Sequence, residues 1–533
     1  MNSVTITMLV MLVVFGVVGL CMARMIRNGD SFYIMEEKAP TLFLVCGICM
    51  SYISAVTMNS GPGVCYEQGP LVLLTTAQPG AWLGMIVAIL FIGRKMKSIG
   101  CYTLPDYFTK RFSDNNVTFL AVIIMALGLE LYGVGQLMSI SSVLSEVTGL
   151  SYECLVVIFT LAVMSFCVPG GTWGVMMTET CMFAVVFVTA LVVCPVVLHN
   201  IMPQAIENLP REFWQAGGIE QNPMSFSVSQ FFLWFMFFAG SPVIITRVFP
   251  AKNDFAVCKA CVISVALIAL IATMTYLTAG MMRGVDPNIV PPDRVMLTAF
   301  VEYAPMALGL VGVMGIITAS TSTAAVVFSL TGFAVSRDLY GVLNQDKPEA
   351  KNSVGRARLV QFFVIALGGM IAYFQPASIF DISVFVCGIF AASWLPAILL
   401  GLVWKRFSSA GAFYGMLTGI SALVILQFLI HFRGVVLPAT LNQYIVSVAL
   451  SILVSVVVSL CTPSSGVDAV NHYRIQNALP SDMVFTAVRK SPKALPRICR
   501  EYRMARRVIL ATAVLFLLIC IGLVLLSGGV FHR

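Results

Sequence analysis

The densest run of potential ligands in this chain is Thr318-Ala319-Ser320-Thr321-Ser322-Thr323, five hydroxyls in six positions within the apolar stretch 309–341. On a helix, Ala319, Ser322 and Thr323 stand at i, i+3 and i+4 and so share one face. A backbone carbonyl and two hydroxyls converging there are hard oxygen ligands, the kind a small alkali cation needs when it sheds water. The same residues have a simpler use. Small hydroxylated side chains let helices pack closely in lipid, or they bond back to their own backbone. The rest of the chain bears on the choice.

Two further stretches carry related chemistry. TLFLVCGICMSYISAVTMNSGPGVCYEQG (41–69) has a polar middle and ends in Gly61-Pro62-Gly63, through which a helix cannot run undisturbed. SVSQFFLWFMFFAGSPVIITRVF (227–249) carries Ala239-Gly240-Ser241-Pro242 in its interior. A broken helix leaves N–H and C=O groups that must find partners. Free carbonyls suit sodium, and free N–H ends suit a carboxylate. A proline kink with no ligand is the plainer alternative. The two stretches are five spans apart, an odd number, so the second set of five lies inverted relative to the first. Interrupted spans at matching positions of inverted repeats mark a transporter's binding site near the bilayer midplane.

Composition requires a membrane. The chain is 59% hydrophobic and 11% charged over 533 residues, unlike any soluble domain of that size. Apolar runs of about 20 residues recur throughout. Fourteen spans are expected, near 4–23, 41–65, 74–93, 117–145, 151–169, 174–199, 227–247, 256–282, 306–336, 357–374, 379–404, 409–432, 439–461 and 508–529. They divide into an extra helix and inner loop (1–40), a first five-helix repeat (41–200), a second, inverted one (201–405) and additional C-terminal helices (406–533). Segment 284–303 reads as an external loop with a short helix. The first run lacks a basic n-region, so it reads as a retained span with its N-terminus outside rather than a cleaved signal.

That orientation places 27 of the 32 basic residues on the inner side. They include Arg24, Arg27, Lys110, Arg111, Arg247 and nine between Arg474 and Arg507; only Arg211, Arg283, Arg294, Arg433 and Arg533 remain outside. This asymmetry fits a plasma-membrane protein. It also gives the net charge of +8 a role other than binding nucleic acid. The polar, basic segment 462–507 reads as an inner loop on the anionic leaflet. No Walker A sequence is present, which weighs against an ATP-driven pump. Cys258 and Cys261 form a C-x-x-C without a second pair, and the four histidines form no motif. No organic cofactor is expected.

Several separated segments, in order, resemble the sodium–solute symporter family. SYISAVTMNSGPGVCYEQG resembles its first core helix, GCYTLPDYFTKRF the loop after the second, and VPGGTWGVMMTET the start of the fifth. GSPVIITRVF resembles the sixth, TASTSTAAVVFSLTGFAVSRDLYG the eighth, and LPAILLGLVWKRFSSAGAFYGMLTG the tenth span and the start of the next. The resemblance implies the leucine-transporter fold, an all-α polytopic membrane protein of two inverted five-helix repeats. It puts a sodium site on the carbonyls of Met50, Ile53 and Ala319 and the hydroxyls of Ser322 and Thr323. It puts solute contacts at Ser54, Trp234, Phe238 and Pro242, with Gln136 as a further polar candidate. Trp234 and Phe238 are i and i+4, a spacing that simple packing also uses.

Glu179 stands where many members carry an aspartate that helps hold a second cation. It could bind such a cation, carry a proton, or pair with a hydroxyl; Glu130 raises the same question without a family pattern. Met182 replaces a usual glutamine, Ser60 a frequent glycine, and DSFYIMEEKAP lacks the glycine and arginine usual after the first span. Tyr52 replaces the aspartate of the proline branch, which argues against proline. The expected function is sodium-coupled symport of a small organic solute with no bond broken, so no enzymatic activity. The motifs look closest to the acetate and monocarboxylate branch. Amino acids, pantothenate and sugars remain open, as do proton coupling and a non-transporting sensor.

Overall fold

A computed structural model describes residues 3–344, 353–375, 379–435, 437, 442–463 and 507. These form helices with no strand among them; a single bridge pairs Ala39 with Ala251. The helices are α1 (Ser3–Met25), α2 (Thr41–Tyr52), α3 (Val56–Gln68), α4 (Pro70–Ser98), α5 (Leu104–Phe112) and α6 (Asn115–Thr148). Then come α7 (Tyr152–Asn208), α8 (Met224–Gly240), α9 (Pro242–Val248), α10 (Asp254–Met282), α11 (Val295–Glu302) and α12 (Met306–Leu343). The last are α13 (Ser353–Tyr373), α14 (Ile382–Val403), α15 (Ser409–Arg433) and α16 (Gln443–Cys461).

Ten of these helices are long and apolar enough to cross a bilayer, or twelve spans if each bent pair counts as one. The expected count of fourteen is not reached, for two reasons. The fifth and sixth expected spans run together as α7, and the last, 508–529, lies outside the described residues, as does 464–506 of the basic segment. At 57 residues, α7 would measure roughly 85 Å if straight, against a hydrocarbon core of about 30 Å. It breaks at Gly171, where φ is 49° and ψ is −143°. Only glycine adopts that conformation freely. A Cβ there would also lie 2.6 Å from the Phe32 ring.

Burial follows composition. The apolar window of α12 is 89% buried, against 28% for α1 and 22% for α15. A helix that is apolar or small all round belongs inside, and α12 packs against both α6 and α7. Along α4, Gly80 and Gly84 let α8 approach until the Phe231 and Phe235 carbonyls lie 2.2 and 2.5 Å from where a Cβ would sit. Arg111 lies in the connection between α4 and α6, on the short helix α5. It is fully buried, and its guanidinium donates to the Gly401 and Trp404 carbonyls at 2.8 and 3.2 Å, the C-terminal end of α14. A cation is favourable at that end of a helix.

The two expected breaks are present, with one displaced. Helices α2 and α3 meet at 61°, and α8 and α9 at 46°. The second break falls at Ser241, directly before Pro242, where the ring disfavours the helical region. The first break falls at Ile53–Ala55, not at Gly61-Pro62-Gly63. At the triplet the chain widens into a π turn over Val56–Ser60 and then continues as helix. The wider turn accommodates Pro62, which lacks an N–H.

Replacing Gly171 with alanine is expected to cost about 1–3 kcal/mol in backbone strain alone. Thermal unfolding of the detergent-purified protein should show a lowered midpoint, and an unchanged midpoint would contradict the conformation at Gly171.

Candidate functional site

The break after Tyr52 strands the last carbonyls of α2 and the first N–H groups of α3. Their partners come from elsewhere. The Gln136 Oε1 of α6 accepts from the Ala55 N–H at 2.9 Å. The Thr57 hydroxyl donates to the Tyr52 carbonyl at 3.1 Å. From α12, Thr323 Oγ1 lies 3.2 Å from the Ile53 carbonyl and 3.1 Å from its own helix's Ala319 carbonyl. Ser322 Oγ lies 3.0 Å from that same Ala319 carbonyl. All five expected sodium ligands are buried, and four of their oxygens gather here: the Ile53 and Ala319 carbonyls and the Ser322 and Thr323 hydroxyls. Met50 sits in the last turn of α2. Back-bonds such as Ser322 to Ala319 would arise in plain packing. The contact from Thr323 to Ile53 crosses between helices and would not.

Beside this cluster lies a cavity of about 250 Å³. Ser54, Trp234 and Phe238 line it, as expected; Gln136 and Pro242 do not. Gln136 is occupied with Ala55, and Pro242 begins α9. Aromatic rings form one wall: Tyr52 stacks on Phe238 with centroids 5.2 Å apart, and Phe238 on Trp234 at 6.1 Å. Sequence reasoning missed the polar wall. Tyr52 Oη donates to Gln78 Oε1, Gln78 Nε2 donates to Tyr276 Oη at 3.1 Å, and Tyr132 Oη reaches Ser54 Oγ at 3.5 Å. Gln78 was detectable as an amide inside an apolar span. Nothing in sequence separates Tyr132 or Tyr276 from packing aromatics. Among the described residues no Asp, Glu, Lys, Arg or His lines the cavity. The N-terminal residues Val56 and Thr57 of α3 do, so the positive end of a helix dipole faces it. Near Gly63 of α3 sits Asp293; burial pushes its carboxyl above its ordinary value, and Glu67 adds to the rise.

Glu179 is paired. Its Oε1 accepts from Arg247 Nη2 at 2.6 Å, and Arg247 Nε donates to Ser51 Oγ at 2.7 Å. Both side chains are almost wholly enclosed, so Arg247 is not the loop residue that the charge count took it for. The network joins α7, α9 and α2. Nearby, the Ala39 N–H donates to the Pro250 carbonyl at 3.0 Å, and Lys97 Nζ to the Phe249 carbonyl at 2.7 Å. The ends of the two broken segments farthest from their breaks are thus tied together.

Removing one partner of a buried ion pair typically costs about 3–5 kcal/mol, because the other charge is left uncompensated. Glu179→Ala and Arg247→Ala should each lower the thermal midpoint more than the paired change Glu179→Leu/Arg247→Met. Additive losses in the double variant would show that the pair does not couple.

Comparisons with known proteins agree with this geometry. The Sodium:solute symporter family profile matches residues 32–419. The sodium/pantothenate symporter of Haemophilus influenzae is 22% identical over 74% of this chain and 84% of its own length. The osmoregulated proline transporter OpuE of Bacillus subtilis is 22% identical over 68% and 74%. Among solved structures, a sodium-coupled sialic acid symporter aligns with a TM-score of 0.70 at 14% identity, covering 87% of this chain and 98% of that one. A nucleobase–cation symport family transporter aligns at 0.53 and 12% identity, covering 84% and 99%. The fold is that of the leucine transporter, and the chain belongs to the sodium:solute symporter family.

Proposed function

We propose that this protein is a secondary active transporter of the plasma membrane, N-terminus outside, that uses sodium to drive a small organic solute across by alternating access. The observation that carries this reading is the meeting of Thr323 with the Ile53 carbonyl, next to Ser54 in the cavity wall. Sodium held by the carbonyls of Met50, Ile53 and Ala319 and the hydroxyls of Ser322 and Thr323 orders the end of α2. Ordering that end sets Ser54 and the start of α3, so ion and solute affinities are coupled. Such couplings typically amount to about 1–3 kcal/mol. Rocking of the bundle that carries α2 and α9, held together by the Ala39–Pro250 contact, then opens the cavity to the other side.

The solute in this reading is a short monocarboxylate. Support comes from an aromatic-walled cavity without a basic residue, in which a carboxylate meets the N-terminus of α3 and the hydroxyls of Ser54 and Thr57. Pantothenate and proline, named for the relatives, are carboxylates too and fit the same argument. Tyr52 in place of an acidic residue weighs against proline. For Glu179, the Arg247 guanidinium already supplies the positive partner, which supports a positioning role over a second cation or a proton site.

Uptake into proteoliposomes tests the reading. An inward sodium gradient should drive accumulation of a short monocarboxylate, screened beside pantothenate, amino acids and sugars. Uptake indifferent to sodium would remove the mechanism. Binding without uptake would favour a sensor. Ser322→Ala/Thr323→Ala should raise the sodium concentration for half-maximal uptake by about tenfold, equivalent to ~1.4 kcal/mol; an unchanged sodium curve sinks the ligand assignment.

A further inference from the structure

Glu130 lies in the middle of α6, 92% buried by its 8% exposure, and neither carboxyl oxygen has a hydrogen-bond partner. Its surroundings are apolar. A Cβ built on Gly368 of α13 would sit 3.1 Å from Glu130 Oε1. The Phe328 ring of α12 is wedged between Gly368 and Gly133, 2.4 and 2.6 Å from where their Cβ atoms would be. The carboxyl is therefore sealed where α6, α12 and α13 meet.

No opposite charge serves it among the described residues. The Met306–Phe333 part of α12 carries no ionisable side chain. On α13, Arg356 donates to the Ser336 carbonyl and Arg358 to the Pro169 carbonyl; Tyr373 is at the far end. From α7 come Cys167, 3.6 Å from the Ala325 carbonyl, and Glu179, paired with Arg247. From α14 comes Cys387, which is buried and free. At the start of α6, α5 brings Asp106, paired with Lys110 and Arg337, and Arg111, bonded to α14. On α6 itself, Tyr132 turns to Ser54, and Glu146 pairs with Arg294. A bare carboxylate in such a place costs many kcal/mol, and a carboxyl avoids that cost by neutralising. An ionisable group kept inside a span under those terms is a functional candidate by default.

We propose that Glu130 is a proton-binding site: its carboxyl carries a proton while α13 lies on α6, and releases it only when those helices part and water enters. The ligand is the proton alone, and the inference stands whether or not the chain transports a carboxylate. Folding then takes up a proton above the ordinary glutamate range, about 4.3, until the folded carboxyl itself ionises, and the stability this gives is lost as pH rises through that window.

The test compares the full-length wild type with Glu130→Gln, a neutral isostere, by thermal unfolding across pH. The wild-type midpoint should fall relative to the variant as pH rises, and parallel curves overturn the proposal. A second readout is labelling by dicyclohexylcarbodiimide, an apolar reagent that attacks protonated carboxyls, mapped by peptide mass spectrometry. Label on Glu130 near neutral pH, lost as the pH is raised, supports the site. Should the variant fail to fold, wild-type labelling decides, and label that does not respond to pH overturns the proposal.

Discussion

A peptide chain that breaks its helix inside a membrane must bond the stranded backbone groups to something other than water, and the rest of this structure is arranged to do so. An unmet buried donor or acceptor costs about 1–3 kcal/mol, whereas a made hydrogen bond contributes about 1 kcal/mol net. The break at Ile53–Ala55 is tolerable because α6 supplies Gln136 and α12 supplies Thr323. Those two residues fix where the break points. The broken segment cannot shift without leaving both neighbours, so its position and theirs are one variable.

Charge is allowed inside this fold only where a partner meets it. The cavity has polar atoms in its walls but, among the described residues, no Asp, Glu, Lys, Arg or His, while Arg247 lies apart from it, held between Glu179 and Ser51. A guanidinium facing the cavity would hold any carboxylate tightly and release it slowly. With only a helix end and hydroxyls, the attraction is modest and reversible, which suits a carrier that must empty on each cycle. Arg247 meanwhile ties α9 to α2 and α7. The Ala39–Pro250 bond ties the same two short helices again. Helices α2 and α9 can then move as one piece, which a rocking mechanism requires.

Much of this was legible in sequence, to the extent that local chemistry determined it. The i, i+3, i+4 grouping of Ala319, Ser322 and Thr323 follows from helical periodicity alone, and Pro242 marks its break by its own sterics. The first break was misplaced because Gly61-Pro62-Gly63 looked the weaker point. A π turn absorbed the triplet, and the chain broke where distant residues could cap it. That choice belongs to Gln136 and Thr323, residues 81 and 270 positions away, and no local pattern contains it. Arg111 and Arg247 misled for a related reason. Charge statistics treat basic residues as solvated, and these two are instead buried and held by carbonyls and a carboxylate that only the fold brings near. Tyr132 and Tyr276 look like packing aromatics until their hydroxyls are seen at the polar wall.

The oxygen cluster contains an argument about coupling. Thr323 has one hydroxyl proton and two carbonyls within reach, at 3.2 and 3.1 Å, so it can donate to only one at a time. Ser322 directs its own proton at Ala319 as well. Three contacts thus share two protons, so one of the three close oxygen pairs is always left without a hydrogen bond. A cation among them would draw on all the lone pairs together, with no proton to share. It would therefore bind best where Ile53 is held against α12, and that arrangement is also the one that sets Ser54 in the cavity wall. Coupling needs no separate device in such a site. The group that such an ion would hold, the Ile53 carbonyl, and the group in the cavity wall, Ser54, are adjacent residues in one helix break.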